Sequence, residues 1–278
     1  MNAIPLHAQT RRLAPSSGWD GKELAEVWAS RELLYFLIWR DIKVRYKQTA
    51  LGAAWAIVQP VLTMIVFTVF FGRLAQLPSD GIPYPVFAMA ALVPWTYFAT
   101  ALSSGSQSVV ANQHVLTKVY FPRLLMPLAA VLGPLVDFAI AFAVLVAMML
   151  WYGIAPGVAV VWLPLLLLLA ILTAAAASIW LAALNVQYRD VRYVVPFFVQ
   201  LWMFATPVAY ASSLVPDRWR IVYGLNPMAG VIEGFRWALV RGSAPGLMTL
   251  TSAIVVMVAL AAGIVYFRRL EGTFADRV

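Results

Sequence analysis

An all-α integral membrane protein is the fold class that this sequence predicts: six transmembrane helices, an amphipathic interfacial helix ahead of the first, and re-entrant helices between the fifth and sixth. Three observations carry that expectation. Hydrophobic residues are 63% of the 278-residue chain and charged residues 12%, against about 45–50% and 25% in soluble domains. Six runs approach the roughly 20 apolar residues that a bilayer crossing needs: 51–71, 86–111, 124–152, 158–186, 193–211 and 247–267. Of the 20 Lys and Arg, 15 fall on the side of the two termini and five on the other, so the positive-inside rule puts both termini in the cytoplasm. The net charge of +8 then follows from topology and the anionic inner leaflet, and no nucleic-acid partner is needed to explain it. The chain has no cysteine, which excludes disulfides, thiolate metal sites and palmitoylation. No secretory signal is expected ahead of the first run.

Taken in chain order, residues 1–30 read as a cytoplasmic tail and 31–278 as one transmembrane domain. The stretch RDIKVRYKQTALGAAWAIVQP, from Arg40 to Pro60, sets a basic segment directly against an uncharged run. Leu34, Tyr35, Ile38, Ile42 and Tyr46 fall on one side of a helical wheel, with Arg40, Lys43 and Lys47 opposite. That pattern predicts a helix lying in the membrane interface, and Trp28 and Trp39 suit that depth. Asp41 and Arg45 belong to the same segment. Gly52 is a joint into the first span, and Pro60 predicts a kink halfway along it. The second span turns polar in its last turns.

The following loop contains NQHVLTKVYFPR, from Asn112 to Arg123. It predicts a short cytoplasmic helix offering Val115, Leu116, Val119, Tyr120 and Phe121 as apolar knobs for a protein contact, with Lys118 and Arg123 at the surface. In the third span Asp137 lies between apolar neighbours; a charge there must face the bundle, a partner or water. Either structural pairing or a direct role in transport satisfies that demand, and a proton relay lacks a second intramembrane carboxylate or histidine. Between the fifth and sixth spans, 212–241 is too charged to cross twice and too apolar for a plain loop. Two short helices broken at Gly224 to Pro227 fit it, and irregular backbone at membrane depth implies a protein-lined or watery setting.

The chemistry absent from the sequence narrows the function. There is no G-x-x-x-x-G-K-[ST] loop for ATP, no G-x-S-x-G elbow, and His7 and His114 stand alone, outside any H-E-x-x-H pair. No catalytic residue, metal or cofactor is expected on this chain. What remains is a pore without a motor, or a pore whose motor is another chain.

The segments RDIKVRYKQTALG with AIVQP, KVYFPR, ALNVQYRDVRYVVPF, QLWMFATPVAY and LNPMAGVIEGFRWAL occur in an order that covers nearly the whole chain after about residue 30. Together they resemble the membrane subunits of ABC-2 type ATP-driven exporters (the type V exporter fold), and within these the polysaccharide exporters for O-antigen, capsule and teichoic acid, O-antigen most of all. The resemblance implies a homodimer around a central channel in the bacterial inner membrane, with two separate ATPase subunits that bind ATP and Mg beneath it. Arg40, Asp41, Lys43, Arg45, Tyr46 and Lys47 would belong to a gate or connecting helix. Asn112, His114, Val115, Leu116, Lys118, Val119, Tyr120, Phe121 and Arg123 would form the helix seated in the ATPase, with Tyr188, Arg189 and Asp190 close by. Asn226, Pro227, Glu233 and Arg236 would sit in re-entrant helices at the outer mouth. Candidate channel-lining residues are Gln59, Trp95, Tyr97, Asp137, Phe198, Trp202 and Tyr210, since aromatic faces stack on sugars. A lipid-linked glycan would enter from the cytoplasmic leaflet, its phosphates drawn by Arg40, Lys43 and Lys47. Rival readings are an exporter of the same type with another cargo, such as a capsule polymer, teichoic acid, drug or lipid; a membrane glycosyl- or acyltransferase; and a non-catalytic scaffold.

Overall fold

The computed structural model describes residues 28–47, 54–116, 121–242, 244, 246–272 and 274. Gly52, Lys118, Val119 and Tyr120 lie outside them. Every regular element among the described residues is helical. Helix α1 is Arg31–Lys47, α2 Ala54–Phe67, α3 Tyr84–Ala111, α4 Gln113–Leu116, α5 Leu125–Leu132 and α6 Leu135–Trp151. After these come α7 Leu163–Gln187, α8 Val191–Phe204, α9 Asp217–Tyr223, α10 Pro227–Val240 and α11 Leu247–Glu271. Among the described residues, five stretches are long and apolar enough to cross a membrane: Ala54–Leu74, Tyr84–Ala111, Leu125–Trp151, Val158–Gln187 and Leu247–Glu271.

Helix α3 is the hub. In its membrane-length window 78% of residues are buried, against 17–33% in the other four, and α2, α5, α6, α7, α8 and α10 all pack on it. Small residues allow this. A Cβ on Gly105 would lie 2.3 Å from Ser178 Oγ, so α3 and α7 meet at near-backbone distance, as small-residue seams do in membrane bundles. Across that seam Asn185 donates to the Ser106 carbonyl at 2.9 Å, and on the far side of α7 Trp180 donates to the Ala259 carbonyl of α11 at 2.9 Å. Such bonds average only about 0.6 kcal/mol within membranes, so close packing supplies most of the cohesion.

Two predicted spans are built differently from expectation. The run 124–152 is not one helix: α5 ends at Leu132, Gly133 and Pro134 form a turn, and α6 starts at Leu135. Pro134 has no N–H to donate and its ring crowds the preceding turn, so the break is written in the sequence even though the apolar run is continuous. Asp137 is therefore in the first turn of α6, just past the break and midway along the stretch Leu125–Trp151. The run 193–211 is helical only over Val191–Phe204, 14 residues, or about 21 Å, and a non-helical turn follows. Pro60 is accommodated inside α2, and the irregularity comes later, as a π-helical stretch over Thr68–Leu74.

The elements group at two ends. At one, α1 lies along α5, Ala111 and Gln113 share a groove with Asn185 and Arg189, and Arg123 reaches Glu271. At the other, Ser213 donates to Asp80 at 2.9 Å and Tyr84 donates to the Ala209 carbonyl at 2.5 Å.

Candidate functional site

The first part of the site is the short-helix region, where the break at Gly224 to Pro227 falls between α9 and α10 as expected. Asn226 caps α10: its Oδ1 accepts from the Met228 N–H at 3.2 Å, satisfying one of the donors that a helix start leaves open. The same amide accepts from Trp202 Nε1 at 2.9 Å and donates to the Ala205 carbonyl at 3.2 Å and to Thr206 Oγ1 at 2.9 Å. One residue thus joins α10 to the end of α8. Pro227 follows at the first helical position, where a missing N–H costs nothing.

Arg236 completes the join. Its guanidinium donates to the carbonyls of Pro207 at 2.6 Å, Val208 at 2.8 Å and Tyr210 at 3.2 Å. It lies 3.6 Å over the Phe87 ring and 3.7 Å from Glu233. The Ala209 carbonyl takes the Tyr84 hydroxyl, and the Phe204 carbonyl takes the Tyr210 hydroxyl at 3.1 Å. The irregular turn after α8 therefore has its carbonyls supplied with donors from α3, from α10 with its cap residue, and from its own Tyr210. Unsatisfied carbonyls in an apolar setting cost several kcal/mol each, which is why this backbone can stay non-helical here. Glu233 and Arg236 lie in helix α10; Arg236 is 3% exposed and organises the turn, a task that its place in the sequence does not announce.

The second part lies at the α1 end. Asp137 accepts from both Arg45 and the Tyr46 hydroxyl, one on each carboxylate oxygen. Burial, then the hydrogen bond to Asp137 and its charge, hold the Tyr46 hydroxyl above its usual range, so it acts as a donor. Arg40 is engaged by Asp41 on its own helix at 2.9 Å, and Lys43 lies 5.2 Å over the Trp39 ring. The inward face of α1 is Leu33, Leu34, Leu37 and Ile38, packed on Phe121, Leu125 and Met126. Of the helical-wheel stripe, Leu34 and Ile38 turn to this packing and Tyr46 to Asp137, while Tyr35 is 64% exposed; Leu37, outside the stripe, is 7% exposed.

Phe121 is likewise buried, so it is not an exposed knob; it seats α1 instead. Asn112 ends α3, its side chain donating to the Ser108 carbonyl at 2.8 Å. His114, Val115 and Leu116 belong to the single turn α4. Tyr188, Arg189 and Asp190 are exposed in the link between α7 and α8. The two predicted coupling segments do come together, since Gln113 and Arg189 line one groove of about 330 Å³.

The candidate lining residues separate into groups. Gln59, Tyr97 and Asp137 share a cavity of about 240 Å³ with Arg45, Trp55 and Thr96. Trp95 is 4% exposed, its ring 5.5 Å from Phe98 inside the packed core, and the tight α3 seam around it leaves no open face. Trp202 sits between Phe98 at 5.0 Å and the exposed Phe198 at 5.4 Å. Tyr210 and Tyr223 share a hydrogen bond.

A contact that sequence reasoning missed is the clasp around Arg123. Its guanidinium donates to the Glu271 carbonyl at the end of α11, its N–H donates to the Glu271 carboxylate at 3.3 Å, and it faces the Phe274 ring at 6.0 Å. A cation on the last carbonyls of a helix is favourable; the only signal in the sequence is a lone Arg after Pro122. Among the described residues no group of His, Asp and Glu is arranged to hold a metal ion.

Comparison with known proteins adds three findings. The family model described as ABC-2 type transporter matches residues 32–240. The chain is 31% identical over 259 residues, 91% of its own length and 98% of the relative's, to the O-antigen export system permease protein RfbA of Myxococcus xanthus. It is 29% identical over 252 residues (88% and 94%) to the protein of that name in Klebsiella pneumoniae, and 24% identical over 241 residues (84% and 92%) to the polysialic acid transport protein KpsM of Escherichia coli.

Proposed function

Because this chain belongs to the ABC-2 type transporter family, we propose that it is the membrane subunit of an exporter that carries lipid-linked O-antigen polysaccharide out of the cytoplasm. The observation that carries this reading is the near end-to-end similarity, about 30% identical, to O-antigen export permeases. The chain works as a homodimer in the bacterial inner membrane with two ATPase subunits, which supply ATP and Mg chemistry that this chain has no motif for. It crosses the membrane six times with both termini cytoplasmic. The fifth crossing combines α8 with the satisfied turn after it, and α9 and α10 re-enter from the outer side. Support for that path is geometric: Arg189 and Glu271 lie at the α1 end, while Ala209 lies at the other.

Deletion of the gene from its native host tests the cargo. Long-chain O-antigen should disappear from the surface, accumulate inside the cell, and return when the chain is supplied in trans. Unchanged surface O-antigen would overturn the proposal. The similarity to a polysialic acid transport protein favours capsular polymer as a second reading, and loss of capsule with intact O-antigen in the same strain would select it.

A further inference from the structure

Two cavities meet at one ion pair. The first is a groove of about 520 Å³ between α1, α3 and α5, lined by Arg40, Ser104, Ser108 and Asn112 on its polar side and by Leu37 and Met126 on its apolar side. The second is the cavity of about 240 Å³ between α2, α3 and α6, reached by Gln59, Tyr97 and Asp137. Arg45 and Pro134 line both. The guanidinium of Arg45, drawn onto Asp137, therefore stands where the two meet, beside the break at Gly133 and Pro134 that separates α5 from α6.

We propose that the contact of Arg45 and Tyr46 with Asp137 is a charge latch that keeps the groove and the cavity apart, and that a phosphate ester opens it by taking Arg45 from Asp137. This rests on the reading of the chain as an exporter of a lipid-linked glycan, and it assigns the step at which the phosphate leaves the interface. A guanidinium fits phosphate oxygens in the same forked geometry as a carboxylate, and phosphate brings more negative charge. The pair is not sealed: its side chains are 34% and 23% exposed, and ion pairs open to solvent are weakly held. Asp137 is not stranded when Arg45 leaves. It keeps the Tyr46 hydroxyl and stays in the first turn of α6, where the helix dipole favours a carboxylate. One cation thus serves in turn as the closure of the path and as the receptor for what moves along it.

Opposed charge variants test the latch on the purified complex with its ATPase, with farnesyl pyrophosphate as the probe. Asp137→Asn should bind the probe at least threefold more tightly, because the Asp137 carboxylate no longer competes with phosphate for Arg45, and Arg45→Gln at least threefold more weakly. Shifts of the same sign, or none, would overturn the latch, since a merely structural pair has no reason to move affinity in opposite directions. A second measurement does not depend on either variant. The chain has no natural cysteine, so Arg45→Cys with Asp137→Cys can be bridged by a short, reducible bis-thiol reagent. The reduced double variant, lacking the Arg45 guanidinium, should already export less than the natural chain; bridging should lower export at least tenfold further, and reduction should return it to the unbridged level. Normal export by the bridged pair, in a strain where deletion abolishes surface polymer, sinks the latch and leaves the export reading standing. If deletion leaves surface polymer unchanged, the export reading fails, and the opposed affinities still decide the latch.

Discussion

Arg236 illustrates how much one side chain decides at the residue scale. Three backbone carbonyls, a carboxylate and an aromatic face converge on its guanidinium. Arg236→Met would strand those carbonyls and take one cation from Glu233, and breaking a buried pair from one side costs about 3–5 kcal/mol. We expect the thermal transition of the detergent-solubilised variant to fall sharply. Arg236→Lys should recover only part of the loss, because an ammonium cannot span three fixed acceptors as a planar fork does. Adding Glu233→Gln to Arg236→Met should restore some stability, and a double variant no better than the single would contradict this account of the pair. The sequence marks Arg236 and Glu233 as charges inside an apolar segment, which points to a special setting. The acceptors of Arg236 are 26 to 29 residues away, and no periodicity reports a backbone carbonyl in a distant turn.

At the scale of elements, the α9 and α10 pair is held by close approach to α11. A Cβ on Gly224 would meet the Met248 carbonyl oxygen at 2.8 Å and Met248 Cα at 3.1 Å. These are backbone atoms, so α11 itself would have to shift. A Cβ on Gly234 would meet the tip of Leu166 at 2.3 Å, which a change of rotamer relieves. Gly224→Ala should therefore destabilise by about 1–3 kcal/mol, the usual cost of overpacking, and Gly234→Ala by clearly less. Equal melting temperatures for the two variants would refute that order. The two-helix pattern with its break at Gly224 to Pro227 was legible, because Gly, Asn and Pro punctuate a chain by local rules. The split of the third predicted span at Pro134 was equally local but hidden within a continuous apolar run. Hydropathy averages over a window, whereas a proline acts at one peptide.

For the whole molecule, the question is sidedness. The absence of natural cysteine makes labelling with a membrane-impermeant thiol reagent unambiguous. Pro78→Cys, between the first two spans, should react in intact cells once the outer membrane is permeabilised. Arg189→Cys should react only after lysis, since Arg189 lies at the same end as α1 and the end of α11. Labelling of Arg189→Cys from outside would reverse the orientation. The charge asymmetry predicts the same arrangement, because cations held on the cytoplasmic side and an apolar interior are requirements of the bilayer rather than of any neighbour. Solvent and membrane act on every residue alike, so composition, charge bias, turn chemistry and motif order were enough to establish a helical membrane protein and its resemblance to ABC-2 exporters. Folding alone decided that α8 stops at Phe204, that Phe121 turns inward, that Arg123 clasps the end of α11 and that Asp137 meets Arg45 and Tyr46. Each of these depends on a donor, an acceptor or a packing surface contributed from another helix, and which helices become neighbours is a property of the assembled bundle.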